Sequence, residues 1–144
     1  MSFDINSQFF KKRTFAKFDR NIAWKIFEPF AHVTASGNWD LYQGDRFLGT
    51  LHLDDTPQIA GLGINRPGGM AYDLLYEVAH QVGLTIYWEN RVVVTDPKII
   101  DEIPSFFSDH FSPPRVVRSG QQILNYLLRD DPEADPAPTP ANIP

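Results

Sequence analysis

The sequence predicts an α+β fold: a small antiparallel sheet built from hairpins and covered by three to four helices. Three observations lead there. Trp39–Leu53 and Leu84–Thr95 each alternate apolar and polar residues about a short turn, Gln43-Gly44-Asp45-Arg46 in the first and Glu89-Asn90-Arg91 in the second, as β-hairpins do. Met70–Val82 and Ser119–Leu128 instead repeat apolar residues at helical spacing. Hairpins interrupted by helices leave room for one crossover between parallel strands, which argues against an all-parallel sheet.

The first element is expected to be a helix capped by Ser7. Phe15, Phe18, Ile22 and Ile26 fall on one helical face, a break between Phe10 and Phe15 divides the run, and Pro29 ends it. In the first hairpin Leu51 and Leu53 alternate with Thr50, His52 and Asp54, so one face of that strand is polar. Asp54-Asp55-Thr56-Pro57 turns the chain, and Gly61–Gly69 reads as a glycine-rich loop. The helix after Met70 carries the stripe Ala71, Leu74, Leu75, Val78 and Val82, with Gly83 placed to end it in a left-handed conformation. After the second hairpin, Asp96-Pro97 reads as a cap followed by proline at the first helical position, in a short helix that Pro104 stops. Arg115–Arg118 is extended. Ser119-Gly120-Gln121-Gln122 matches a capping box before Ile123, Leu124, Leu127 and Leu128.

A chain of 144 residues suits one domain, placed at residues 1–129. Residues 130–144 hold five of the twelve prolines and four acids, too little apolar surface to offset ordering, and read as a disordered acidic tail. The absence of cysteine excludes disulfides, thiolate metal sites and a cysteine nucleophile. No apolar run reaches the roughly 18–20 residues of a membrane span, and the N-terminus lacks a signal-peptide pattern, so a cytoplasmic location is expected. The net charge of -5 is unevenly spread: residues 11–25 carry +5, residues 26–114 carry -8 and residues 115–129 carry +3.

The residues offer little for catalysis. His32, His52, His80 and His110 are scattered without the close pairing of local metal sites, so no metal or other cofactor is expected. His52 and Asp54 would share one strand face about 7 Å apart, the best local pair for a small enzyme, but no third ligand accompanies them. The loop 61–69 lacks both the P-loop and the G-x-G-x-x-G pattern, although Arg66 near a helix start suits an anion. No serine sits in a nucleophile elbow. No catalytic residue is therefore assigned. The basic segment 11–25 is interleaved with Phe9, Phe10, Phe15, Phe18 and Trp24, a pattern that suits single-stranded nucleic acid. These aromatics fall on an apolar helical stripe, however, and the body outside the segment is acidic, so no nucleic-acid partner is expected.

The acidic middle reads as a protein-binding face. Asp45, Asp54, Asp55 and Glu89 lie near turns and would steer a basic partner, with Tyr42 and Trp88 as aromatic anchors. Asn65-Arg66-Pro67, Leu84–Trp88, Val92–Pro97 and Pro114–Gly120 together resemble blocks of the small, cysteine-free, acidic immunity proteins that bacteria encode beside secreted toxins. The resemblance implies a stoichiometric inhibitor that plugs a toxin's active cleft and has no catalysis of its own. An adaptor or chaperone for a secreted protein is the alternative, and the His52–Asp54 enzyme a further one.

Overall fold

Asp4, Asn6 and Gln8 alternate with Ile5 and Ser7, and burial follows that alternation: Ile5 and Ser7 lie inside. Residues 4–8 are accordingly a strand and not the start of a helix. The computed structural model describes residues 3–129, and the expected tail 130–144 lies outside them. Strand β1 (Asp4–Gln8) is followed by a tight hairpin, β2 (Phe10–Lys11) and β3 (Thr14–Phe15), and by β4 (Phe18–Asp19). Helix α1 is confined to Arg20–Phe27, where the Asp19 carboxylate accepts from the Asn21 amide at 2.9 Å. The helical run expected from Ser7, divided between Phe10 and Phe15, is thus corrected to four short strands, β1 to β4, and an eight-residue helix. Phe15 and Phe18 met the helical spacing by coincidence.

A 3₁₀ turn at Glu28–Phe30 leads into β5 (Ala31–Val33), and the expected hairpin follows as β6 (Trp39–Gln43) and β7 (Arg46–His52). β8 (Gln58–Ile59) pairs with β4, and β9 (Gly63–Asn65) runs between β1 and β7. The glycine-rich loop therefore contains a central strand. Helix α2 (Ala71–Val82) ends at Gly83 with φ +93°, as its stripe and glycine require. β10 (Thr85–Trp88) and β11 (Arg91–Val94) form the second hairpin, and Asp96 caps a 3₁₀ turn over Pro97–Glu102. Then come α3 (Ser105–Ser108), β12 (Arg115–Val116) and α4 (Gly120–Arg129). The capping box closes α4: the Gln122 amide donates to Ser119 Oγ, and the Arg118 amide donates to Gln122 Oε1 at 2.7 Å.

The main sheet has eight strands in the order β12-β11-β10-β1-β9-β7-β6-β5, larger than the small sheet expected. Every neighbouring pair is antiparallel except β11 and β12, which the segment 97–114 joins as a crossover. The α+β class holds.

The two sides of the sheet are covered unequally. On one side Ile5, Leu41, Leu51, Ile64, Ile86 and Val93 pack against α1, α2 and α4 through Phe27, Leu75, Val78, Ile123 and Leu127. On the other, only the β10–β11–β12 end is covered. There Val92 and Val94 meet Phe10, Ile99, Ile103 and Phe107 from the β2–β3 hairpin, the 3₁₀ turn and α3. Among the described residues, no helix contributes to a core cluster over the rest of that side, on β1, β9, β7, β6 and β5.

Candidate functional site

That open half-sheet is the candidate site. Directly opposed residues of an antiparallel pair point to the same face. The register therefore lines up Asp4, Asn65, Thr50, Asp40 and His32, one from each of β1, β9, β7, β6 and β5. With strands about 4.8 Å apart, this polar row spans about 19 Å. Asn65 Nδ2 donates to Asp4 Oδ1 at 2.6 Å, and Thr50 Oγ1 donates to Asp40 Oδ1 at 2.8 Å. Both carboxylates are thereby held on rigid strands by neighbours in the same row. A second row contains Asn6, Gly63 and His52. A side chain at Gly63 would meet Asn6 Oδ1 at 2.8 Å, so glycine leaves room for the Asn6 amide to lie across the strand.

An aromatic group borders the row. Tyr42 meets His32 and Phe47, each with ring centroids 5.5 Å apart, and Phe47 is 46% exposed. Phe47 reaches this face because of a bulge. The β6–β7 register shifts between Leu41 and Tyr42, and Gly49 has φ +122°. The extra residue lets Leu48 be fully buried while Phe47 turns outward. A Cβ at Gly49 would also lie 2.9 Å from the Asn65 carbonyl oxygen of β9, so the bulge needs glycine on both counts.

The structure scatters the six residues expected to bind a partner over both ends and both faces of the sheet. Asp45 and Glu89 lie in the turns after β6 and β10, which run in the same direction, so both turns are at one end of the sheet. β1, β9 and β7 separate β10 from β6, so these turns stand well over 10 Å apart. Asp54 and Asp55 follow β7 at the opposite end, where the Asp54 carbonyl accepts from Arg20 Nε at 2.8 Å. Trp88 faces the helices and packs edge-on against Phe3, with centroids 5.2 Å apart. Only Tyr42 stands on the open face. The four acids and two aromatics do not form one surface.

His52 is exposed on the second row, whereas Asp54 lies beyond the end of its strand. Among the described residues no three His, Asp or Glu side chains are grouped to hold a metal ion. Arg66 adopts φ +52°, and its amide donates to the Phe3 carbonyl at 2.7 Å, so the turn after β9 is tied to β1. The shifted ionisations lie elsewhere: burial pushes the Tyr72 phenol up to about 12 and raises that of Tyr87. The open face presents hydrogen-bonding groups, two carboxylates and exposed rings, all suited to recognition. The sequence shows Asp40 among the acids of the middle segment and Thr50 on a polar strand face, but not their alignment with Asp4 and Asn65, which depends on inter-strand register.

No helix among the described residues is long and apolar enough to cross a membrane. Comparisons with protein-family models, with curated proteins and with solved structures find no match to the chain.

Proposed function

We propose that this chain is a non-catalytic protein-binding module whose docking surface is the open face of β1, β9, β7, β6 and β5. Its role is that of an immunity protein, which inhibits a cognate toxin by covering its active cleft. The observation that carries the reading is the row Asp4–Asn65–Thr50–Asp40–His32, bordered by Tyr42 and Phe47 and covered by no helix among the described residues. Carboxylates fixed on strands need little reorganisation to meet a basic partner, and they raise its association rate. Tyr42 supplies the anchor area. Asp40 and Asp4 take the electrostatic part first assigned to Asp45, Asp54, Asp55 and Glu89.

The test is functional. The product of the neighbouring gene, expressed alone, is expected to arrest growth, and co-expression of this chain to restore it. Asp40→Lys combined with Tyr42→Ala should abolish the rescue while the circular dichroism spectrum is unchanged. Rescue that survives this double substitution removes the open face from the mechanism. An adaptor or chaperone would instead bind its partner without reducing that partner's activity.

A further inference from the structure

The basic segment stands on the other half of the molecule, and its aromatic residues are not all buried. Phe10 and Phe15 face each other across the β2–β3 pair, with ring centroids 5.4 Å apart. Phe10 turns inward onto Phe107, whereas Phe15 is 57% exposed and meets Phe106, itself 51% exposed, at 5.5 Å. The Phe15 and Phe106 planes are tilted by 42°, so they are not stacked on one another. Lys11, Lys12 and Arg13 form the tip of the same hairpin, and Lys17 follows it, all four exposed. The acidic body outside the segment still counts against nucleic acid, but the other objection needs these aromatics to line an apolar helical stripe. Phe15 does not.

The tip is also held in a fixed shape. Lys12 and Arg13 adopt φ +53° and +65°, a left-handed pair that costs non-glycine residues roughly 1–2 kcal/mol each. Glu102 holds this turn: its carboxylate accepts from the Lys12 amide at 2.5 Å, and its carbonyl accepts from the Arg13 amide at 3.0 Å. Beside the hairpin lies a cleft of about 230 Å³ whose lining includes Lys11, His80 and Lys98, the apolar Phe9 and Ile99, and the acids Asp96 and Glu102. Both carboxylates in the cleft are engaged by backbone amides, Asp96 by Lys98 and Glu102 by Lys12.

We propose that the β2–β3 hairpin, with Phe106 and the adjoining cleft, is a binding site for single-stranded nucleic acid. Bases stack on the exposed faces of Phe15 and Phe106, while phosphates lie along Lys11, Lys12, Arg13 and Lys17. Exposed rings beside fixed cations suit a flexible polyanion with flat groups. An anionic membrane suits them less well, because two exposed rings, Phe15 and Phe106, offer little apolar area to bury beneath the headgroups. This site shares no residue with the open face.

The test is fluorescence anisotropy of labelled twelve-nucleotide oligo(dT) and oligo(U) titrated with the full chain. Saturable binding is expected at 50 mM NaCl. With four phosphates neutralised, raising the salt to 200 mM should weaken it about fifty-fold. Phe15→Ser and Phe106→Ser should each weaken it about tenfold or more, as should Lys12→Glu with Arg13→Glu, while Tyr42→Ala leaves it unchanged. Phe106→Ser guards against misfolding of the hairpin, because that ring lies outside it. No saturable binding at 50 mM NaCl overturns the proposal. So does binding that survives both sets of substitutions, or binding to phosphatidylglycerol vesicles but to neither oligonucleotide.

Discussion

Gly61→Ala tests the placement of β1, the strand that carries Asp4 and Asn6 onto the open face. A Cβ at Gly61 would lie 2.0 Å from the Ser7 carbonyl oxygen and 2.9 Å from its carbon. Real Cβ contacts essentially never fall below 3.0 Å, so the two backbones must part by at least about 1 Å. Two backbone hydrogen bonds cross this contact, Ser7 N to Leu62 O at 2.8 Å and Phe9 N to Ala60 O at 2.6 Å. Ser7 Oγ adds a bond to the Leu62 carbonyl and accepts from the Leu62 amide. A 1 Å separation stretches both backbone bonds beyond useful length, and each buried group left unsatisfied costs about 1–3 kcal/mol. The expected loss is about 3–5 kcal/mol, or roughly 10–20 °C in Tm for a domain of this size. Urea unfolding followed by tryptophan fluorescence measures it. Gly68→Ala is the control, because a Cβ there meets nothing within 4 Å. A loss below about 1 kcal/mol for Gly61→Ala, or equal losses for the two variants, would refute the close approach of residues 60–62 to β1.

Other outcomes follow from single contacts. Tyr72 Oη is buried with no hydrogen-bond partner among the described residues, and burial raises its phenol from the usual value of about 10 to about 12. The folded state therefore keeps this proton where the unfolded chain releases it. That contribution is complete below pH 10 and is lost as pH rises toward 12, about 2–3 kcal/mol in all. Tyr72→Phe should flatten this alkaline loss in urea unfolding at pH 9 and 11, and should be neutral or stabilising at pH 7. Ser119→Ala removes the cap on Gln122 and should cost about 0.5–2 kcal/mol by thermal unfolding. His52→Ala, at an exposed position, should change stability by less than about 0.5 kcal/mol in thermal unfolding; a larger loss would contradict its placement on the open face.

Local patterns were legible in the sequence where a residue's neighbours in the chain decide its environment. The β6–β7 hairpin follows from Leu51 alternating with Thr50 and His52, α2 from its stripe and Gly83, and α4 from Ser119 and Gln122. β1 was hidden because it offers only Ile5 as a large interior residue, its other inward side chain being the small Ser7. β9 was hidden because Gly63 occupies a central strand for a reason outside its own segment: Asn6 lies across it. The basic helix was misread because four apolar residues fitted a helical period, although Asp19 supplies a cap at the true start. The candidate site fared similarly. Tyr42 and the polar alternation of β7 were visible, but the row from Asp4 to His32 is a product of register across five strands.

The most direct test of the protein-docking reading is calorimetric titration of the chain against the toxin proposed as its partner, the product of the neighbouring gene. Binding at one-to-one stoichiometry is expected, weakened about tenfold or more by Asp40→Lys and again by Tyr42→Ala. Asp54→Lys with Asp55→Lys, at the opposite end of the sheet from Asp45 and Glu89, should change the affinity by less than about threefold. Undiminished binding by the Asp40 and Tyr42 variants, with loss confined to the Asp54 and Asp55 pair, would contradict the account.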